Sequence, residues 1–331
     1  MRTLYIVGGA MGVGKTTTCR LLCERLENSA LLDGDWLWDL HPFRVTDVTK
    51  RLVCDNIVAV LNNFLACSEL ENIVFCWVLH RQDILDGLLS RLHTAGWNVR
   101  RISLTCTEPA LRARLEKDVR AGLRRPDVIG RVQGRDPSRP RRVRQLQEPE
   151  ETAYARRSRR RHTFGRTAMK QKLILITGSP CVGKTAVAER LFGLCEDSAY
   201  FDGDWGWCVN PFSLDDPRLR NGDRTIAFAL SNYLKSGFRY VICPTVVVIG
   251  EEIRASVLRG IDAENYSTVA FTLTCSEETL AARHRKRGDQ TTLSYAWLRM
   301  PPHPGDYVVD TDGRTPEQVA AELKRIVDAA D

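Results

Sequence analysis

Several absences narrow the field before any motif is read. No apolar run in the 331 residues approaches the roughly 20 consecutive residues that a membrane-spanning helix needs. That excludes a helical membrane protein. The opening "MRTLYIVGGAMGVGKTT" has no signal-peptide pattern, because glycines and Lys15 interrupt its apolar stretch, and a cytoplasmic location is the expectation. The 11 cysteines include no pair at C-x-x-C spacing, so a zinc site of the usual kind is excluded. Small buried thiols in a reducing compartment are expected instead, with Cys181, inside a glycine-rich loop, as the one candidate for reactivity.

Hydrophobic and charged fractions of 43% and 27% belong to a globular chain, and its length suggests two domains of about 150 residues. The net charge of +7 is unevenly placed. Residues 124–172 hold 16 Lys plus Arg against 5 Asp plus Glu, so the rest of the chain is slightly acidic. Residues 129–168 are rich in Arg, Pro and Gln, lack lysine and offer no convincing strand, a composition that predicts a disordered linker.

An internal repeat organises the remainder. Gly9, Gly14, Lys15 and Thr16 recur 169 residues later as Gly178, Gly183, Lys184 and Thr185; "DGDW" at 33–36 recurs at 202–205; "LTCTEPALRARLEK" at 104–117 recurs as "LTCSEETLAARHRK" at 273–286. A constant offset over more than a hundred residues indicates a tandem duplication of one domain. Each copy alternates apolar strands with helical periodicity, which predicts an α/β fold with a parallel sheet flanked by helices. The second copy ends in "DYVVDTDG", a strand and turn, then "TPEQVAAELKRIVDAA", a helix with Thr315 as cap and Pro316 at its first position. The first copy lacks this last strand and helix. The domains expected are therefore 1–128, truncated at its C-terminal end; 129–168, the linker; and 169–331, complete. Met169 opens its copy as an initiator would, which suggests two adjacent genes joined through a degenerate end of the first.

G-x-x-x-x-G-K-[ST] lets backbone N–H groups curl around phosphates at a helix N-terminus, with Lys on the β- and γ-phosphates and the hydroxyl on Mg²⁺. Both copies match, which makes Gly9, Gly12, Gly14, Lys15, Thr16 and Thr17, and Gly178, Gly183, Lys184 and Thr185, candidate ATP-binding residues. The DGD falls at the end of the following strand, beside the transferred phosphate. One carboxylate there can accept a proton from an acceptor hydroxyl and another can hold Mg²⁺ through water. The plainer alternative is an Asx-type turn with solvated acids. Trp36, Trp38, Trp205 and Trp207 offer either a flat surface for a sugar or base or a hydrophobic anchor, and the sequence leaves both open. On the late helices, Arg114 and Arg283 are equivalent, as are Lys117 and Lys286. They are candidates for closing over ATP and stabilising the moving phosphoryl group, against a plain solvated helix face.

With these residues the chain resembles the P-loop small-molecule and nucleotide kinases, a group that includes shikimate, gluconate, adenylylsulfate and polynucleotide kinases. Still closer is its resemblance to bacterial proteins labelled simply nucleotide kinase or ATP-binding protein. The likeness rests on Gly9 to Thr16, Gly178 to Thr185, the DGD and the Arg-bearing helix, and covers residues 2 to about 128 and 171 to 331. It implies two nucleoside-kinase-like domains with sheet order 2-3-1-4-5, the last strand and its loop helping to hold adenine. It also implies Asp33 and Asp202 as ligands of metal-bound water and Asp35 and Asp204 as bases. The third strands, "NIVFCWVL" and "YVICPTVVV", depart from the family by ending without a Walker B aspartate, so Thr16 or Thr185 with the DGD acids would carry Mg²⁺. The function implied is γ-phosphoryl transfer from ATP to a hydroxyl of a small metabolite or nucleotide, the complete second copy being the better candidate. A regulatory ATP-binding protein, or a nucleic-acid end kinase using the basic linker as an arm, are the competing readings.

Overall fold

Glycine and β-branched runs set the first layer. In the computed structural model, residues 1–79, 81–121, 128–129, 170–211, 217–246, 250–288 and 292–330 are described. Almost all of the Arg-rich stretch, and with it the expectation of disorder there, lies outside them. The chain divides into two compact units: Met1–Leu104 together with Lys170–Asp331, and Thr105–Met169.

The larger unit is α/β. Its first sheet contains β1 (Thr3–Gly9), β2 (Ser29–Asp33), β4 (Asn72–Cys76) and β5 (Asn98–Leu104), with β3 (Leu40–His41) leaving it. Between them run α1 (Lys15–Arg25), α2 (Asp47–Ala66) and α3 (Gln82–Leu89). The second sheet contains β6 (Gln171–Gly178), β7 (Ser198–Tyr200), β9 (Tyr240–Pro244), β10 (Tyr266–Thr274) and β11 (Tyr307–Asp310), with β8 (Val209–Asn210) crossing away. The smaller unit carries α4 (Glu108–Arg120), with Pro109 in its first turn, Leu115 buried and Arg112 paired with Glu108 at 3.6 Å. Back in the larger unit, α5 (Lys184–Leu194), α6 (Pro217–Lys235), α7 (Glu251–Arg259), α8 (Glu277–Arg287) and α9 (Pro316–Ala329) complete the described helices. Thr315 caps α9 through a capping box with Gln318, and Pro316 stands in its first turn, as the sequence predicts. No described helix is long and apolar enough to cross a membrane.

Strand order is β5, β1, β4, β2, β8 in one sheet and β11, β10, β6, β9, β7, β3 in the other. The sheets are mixed where the sequence predicts purely parallel ones. The reason is an exchange no local pattern encodes: β8 pairs antiparallel with β2, Ala30 opposite Val209, and β3 pairs antiparallel with β7, Leu40 opposite Ala199. Each two-residue strand covers the start of the outer edge of the other half's second strand and takes up part of its open backbone groups.

The exchange is one part of a two-fold correspondence, in which several contacts have counterparts 169 residues along. The Leu31 amide donates to the Cys208 carbonyl at 2.9 Å and the Tyr200 amide to the Asp39 carbonyl at 2.9 Å. On the packed faces of α2 and α6, Asn63 Nδ2 donates to Thr225 Oγ1 at 2.8 Å and Asn232 Nδ2 to Asn56 Oδ1 at 2.7 Å. Trp36 and Trp205, which are each other's counterparts, stack with ring centroids 5.3 Å apart and planes 19° from parallel. Such a pair contributes about 0.5–1.5 kcal/mol beyond the area it buries. Around it Leu37, Ile57, Leu61, Phe201, Ala229 and Tyr233 form one continuous core fed by both halves. A second core lies on the other face of the second sheet, where Leu191, Ile242, Phe271, Val319 and Leu323 join α5 and α9 to the strands.

Candidate functional site

Each glycine loop leaves the first strand of its sheet and enters a helix. At Gly9 and Gly178 a Cβ would sit 2.7 Å from the Leu104 carbonyl oxygen and 2.5 Å from that of Leu273, so the neighbouring strand admits only glycine. Gly14 (φ 102°) and Gly183 (φ 107°) precede Lys15 and Lys184 in the left-handed region, turning successive N–H groups inward at the helix start. Between them, Gly12 (φ 82°) corresponds to Cys181 (φ 67°), so the second loop holds a side chain in a conformation that favours glycine.

The two lysines are buried at 7% exposure and folded back on their loops. Lys15 Nζ donates to the Ala10 carbonyl at 3.1 Å; Lys184 Nζ donates to Gly178 and Ser179 carbonyls at 3.0 and 3.1 Å. Burial pushes the Lys184 ammonium below its ordinary range, opposed by the charges of Asp204 and Asp202.

The next residue in each helix reaches the DGD. Thr16 Oγ1 donates to Asp33 Oδ2 at 2.5 Å, and Thr185 Oγ1 to Asp202 Oδ2 at 3.2 Å. The other oxygen of each aspartate caps the following 3-10 turn, Asp33 accepting from the Asp35 amide at 3.1 Å and Asp202 from the Asp204 amide at 3.0 Å. The Asx-type turn and the candidate pair of acids are thus the same structure. The middle glycines serve a purpose other than a strained turn: neither has positive φ, and a Cβ would lie 2.6 Å from the Trp77 ring at Gly34 and 2.7 Å from Thr245 at Gly203. Close approach to the end of the third strand is what excludes a side chain.

The second half goes further. Burial, then the charge of Asp204, pushes the Asp202 carboxyl up to about 7 against the hydrogen bonds that favour its ionised form. Asp204 Oδ1 accepts from Thr245 Oγ1 at 2.9 Å and from the Val246 amide at 3.0 Å, which fixes its direction. Thr245 directly follows the third strand, and the sequence gives no hint of its role because a threonine after a strand is commonplace. Its counterpart in the first half is Cys76, buried beside Cys19.

Because native Asp202 holds its proton far more tightly than the unfolded chain, whose value is 3.8, the native state binds more protons between pH 4 and 7. In cation-free buffer, stability from this group therefore falls as pH rises from about 4 to about 7 and levels off above. Urea denaturation across that range should show this component vanish in Asp202→Asn; an unchanged slope would place the titration elsewhere.

Beside the second glycine loop lies a cleft of about 310 Å³ lined by Cys181, Gly183, Arg283, Arg287, Thr311 and Arg314. Arg283 on α8 donates to the Val182 carbonyl at 2.7 Å and to the Thr311 hydroxyl and carbonyl, both at 2.9 Å. It joins the glycine loop to the turn between β11 and α9. Arg114 lies on α4, in the smaller unit. Of the tryptophans, Trp36 and Trp205 are spent on each other, Trp38 packs at 6.2 Å from Phe43 and 6.4 Å from Trp77, and the side chain of Trp207 lies outside the described residues.

A family model described as an AAA domain matches residues 6–125. No curated protein matches the chain. Among solved structures, a sugar kinase from Janibacter sp. HTCC2649 is similar at 17% identity and TM-score 0.40, over 49% of this chain and 96% of its own. The tunicamycin resistance protein of Deinococcus radiodurans is similar at 20% and 0.38, over 48% and 96%. The Mycobacterium tuberculosis APS kinase, in complex with AMPPNP and APS, is similar at 14% and 0.36, over 48% and 98%.

Proposed function

We propose that the chain is a tandem duplication of a P-loop kinase domain, 1–128 and 169–331 joined by the basic 129–168. In this reading the second copy moves the γ-phosphoryl group of ATP to a hydroxyl of a small metabolite or nucleotide. The observation that carries it is the repeated constellation at each glycine loop: a buried lysine on the loop, a helix-start threonine on the first acid of the DGD, and a second acid directed by the turn. Without the exchanged strands, both sheets run second, third, first, fourth strand, the second sheet adding a fifth, which supports the order 2-3-1-4-5.

The donor set suits Mg²⁺: the Thr185 hydroxyl, and an Asp202 carboxyl whose charge is unfavourable where it stands, a state that a cation relieves. When bound, the ion supplies neutralisation of the β- and γ-phosphate charge. The loop N–H groups and Lys184 hold the phosphates in place. Asp204, aimed by Thr245 and the Val246 amide, orients the acceptor hydroxyl and takes its proton as the oxygen attacks. Arg283 and Arg287 line the nucleotide cleft and bring positive charge to its phosphate end. In the first copy, Thr16, Asp33, Asp35 and Lys15 repeat the arrangement, but no counterpart of β11 or α9 occurs among the described residues. Since its sequence after α4 has no match to "DYVVDTDG" and "TPEQVAAELKRIVDAA", the first copy is assigned a second role, ATP binding with little turnover.

The test is ADP release by the full chain with Mg²⁺ and ATP against pooled sugars, polyol acids, nucleosides, nucleotides and 5′-hydroxyl oligonucleotides. The full chain is required because the two halves share strands and a core. Acceptor-dependent release should fall about 10²–10⁴-fold in Asp204→Asn while ATP affinity is kept. Tight ATP binding with no turnover on any acceptor would leave only the regulatory reading.

A further inference from the structure

The outer edges of the two sheets are finished differently. β5 and β10 occupy the same place, each parallel to the first strand of its sheet and in the same register, Gly9 opposite Leu104 and Gly178 opposite Leu273. β10 then pairs with β11, Phe271 opposite Tyr307 through Thr274 opposite Asp310. β5 has no strand on its far side among the described residues. As a result Val269, Ala270, Phe271 and Thr272 are buried, whereas their counterparts Arg100, Arg101, Ile102 and Ser103 are all exposed.

The second half also shows what such an edge receives besides backbone. The Asp306 carboxylate, immediately before β11, accepts from Thr272 Oγ1 at 2.8 Å and from Arg254 Nη1 at 2.8 Å, and is fully buried there. At the matching place in the first half lies a cleft of about 190 Å³. Ile6, Leu79 and Leu85 line its apolar part, and Arg81, Arg101 and Ser103 its polar part. Ser103 is the counterpart of Thr272. A cation is again present, now contributed by Arg101 from the strand itself, since Leu85 replaces Arg254; Arg81 is engaged by Asp83 at the rim.

We propose that this edge is a docking surface for an extended acidic segment of a partner protein, which adds a parallel strand to β5 and places a carboxylate between Arg101 and Ser103. The backbone groups of an edge strand supply the affinity of such additions, and the side-chain slot supplies the selectivity. The preferred segment is an acidic residue followed by β-branched or aromatic residues, the pattern that β11 itself presents in "DYVVD". The alternative is that Arg100 and Arg101 only guard an open edge against self-association.

The probe is a fluorescent synthetic peptide of residues 304–311, "PGDYVVDT", added to the full chain and followed by anisotropy. Saturable binding with one peptide per chain is expected, weakened about tenfold or more when the peptide carries Asp306→Lys or the chain carries Arg101→Glu, as a charge-assisted hydrogen bond would be lost. Arg101 is exposed, so the chain variant should keep its circular dichroism. Carbonyl-labelled Val308 and Val309 in the peptide should shift to β-sheet infrared frequencies on binding. Absence of saturable binding at millimolar peptide, or equal binding by both charge variants, would overturn the proposal. So would self-association of Arg101→Glu with no peptide bound by either chain, which would show a guard and nothing more.

Discussion

Lys184→Ala should lower acceptor-dependent ADP release by about 10²–10³-fold or more, since it removes a charge that is strengthened where water is excluded. The ammonium is already tethered to the Gly178 and Ser179 carbonyls at the loop mouth, so the folded chain holds it close to where phosphate oxygens would arrive. Its burial is unfavourable for the charged form, and a bound polyphosphate would reverse that penalty. Lys15→Ala should leave most of the turnover in place, because the cleft lined by Arg283, Thr311 and Arg314, proposed to take the nucleotide, belongs to the second half. Steady-state rates of the two variants beside their ATP affinities decide the matter. Equal losses would mean that both loops turn over or that they act as one; no loss in Lys184→Ala would remove the second loop from the chemistry.

Asp306→Ala should destabilise the protein by about 3–5 kcal/mol, the usual cost of leaving a buried charge without its partner. Arg254 and Asp306 have side-chain exposures of 8% and 0%, far from the solvent screening that makes surface pairs nearly neutral. The pair ties α7 to the segment that enters β11, and Thr272 Oγ1 holds the second carboxylate oxygen. Urea denaturation of the variant and of Arg254→Leu with Asp306→Leu separates two contributions. The double replacement should recover most of the loss, since an apolar pair of similar volume escapes the desolvation penalty. A loss below about 1 kcal/mol in the single variant would mean that solvent reaches the guanidinium once the carboxylate is gone.

These two expectations differ in how far they were legible beforehand. The glycine loops, their lysines and the DGD acids were readable because their signatures are local: glycines and a lysine at fixed spacing, a hydroxyl one residue into a helix, acids at the end of a strand. The cap at Thr315 was readable for the same reason. Arg254 and Asp306 lie 52 residues apart, and nothing near either of them announces the other. Thr245 was invisible in the same way, being defined only by the Asp204 oxygen it reaches.

The sequence by itself determined an α/β chain with two phosphate-loop signatures at a fixed offset, because hydrophobic period, glycine placement and helix caps are written in neighbouring residues. Only the tertiary structure decided that β3 and β8 change places between sheets, that Trp36 and Trp205 stack on each other, and that Arg283 binds the Thr311 turn. Those contacts join residues from 28 to 181 positions apart. Their partners are chosen by packing, and packing has no signature in a single stretch of chain.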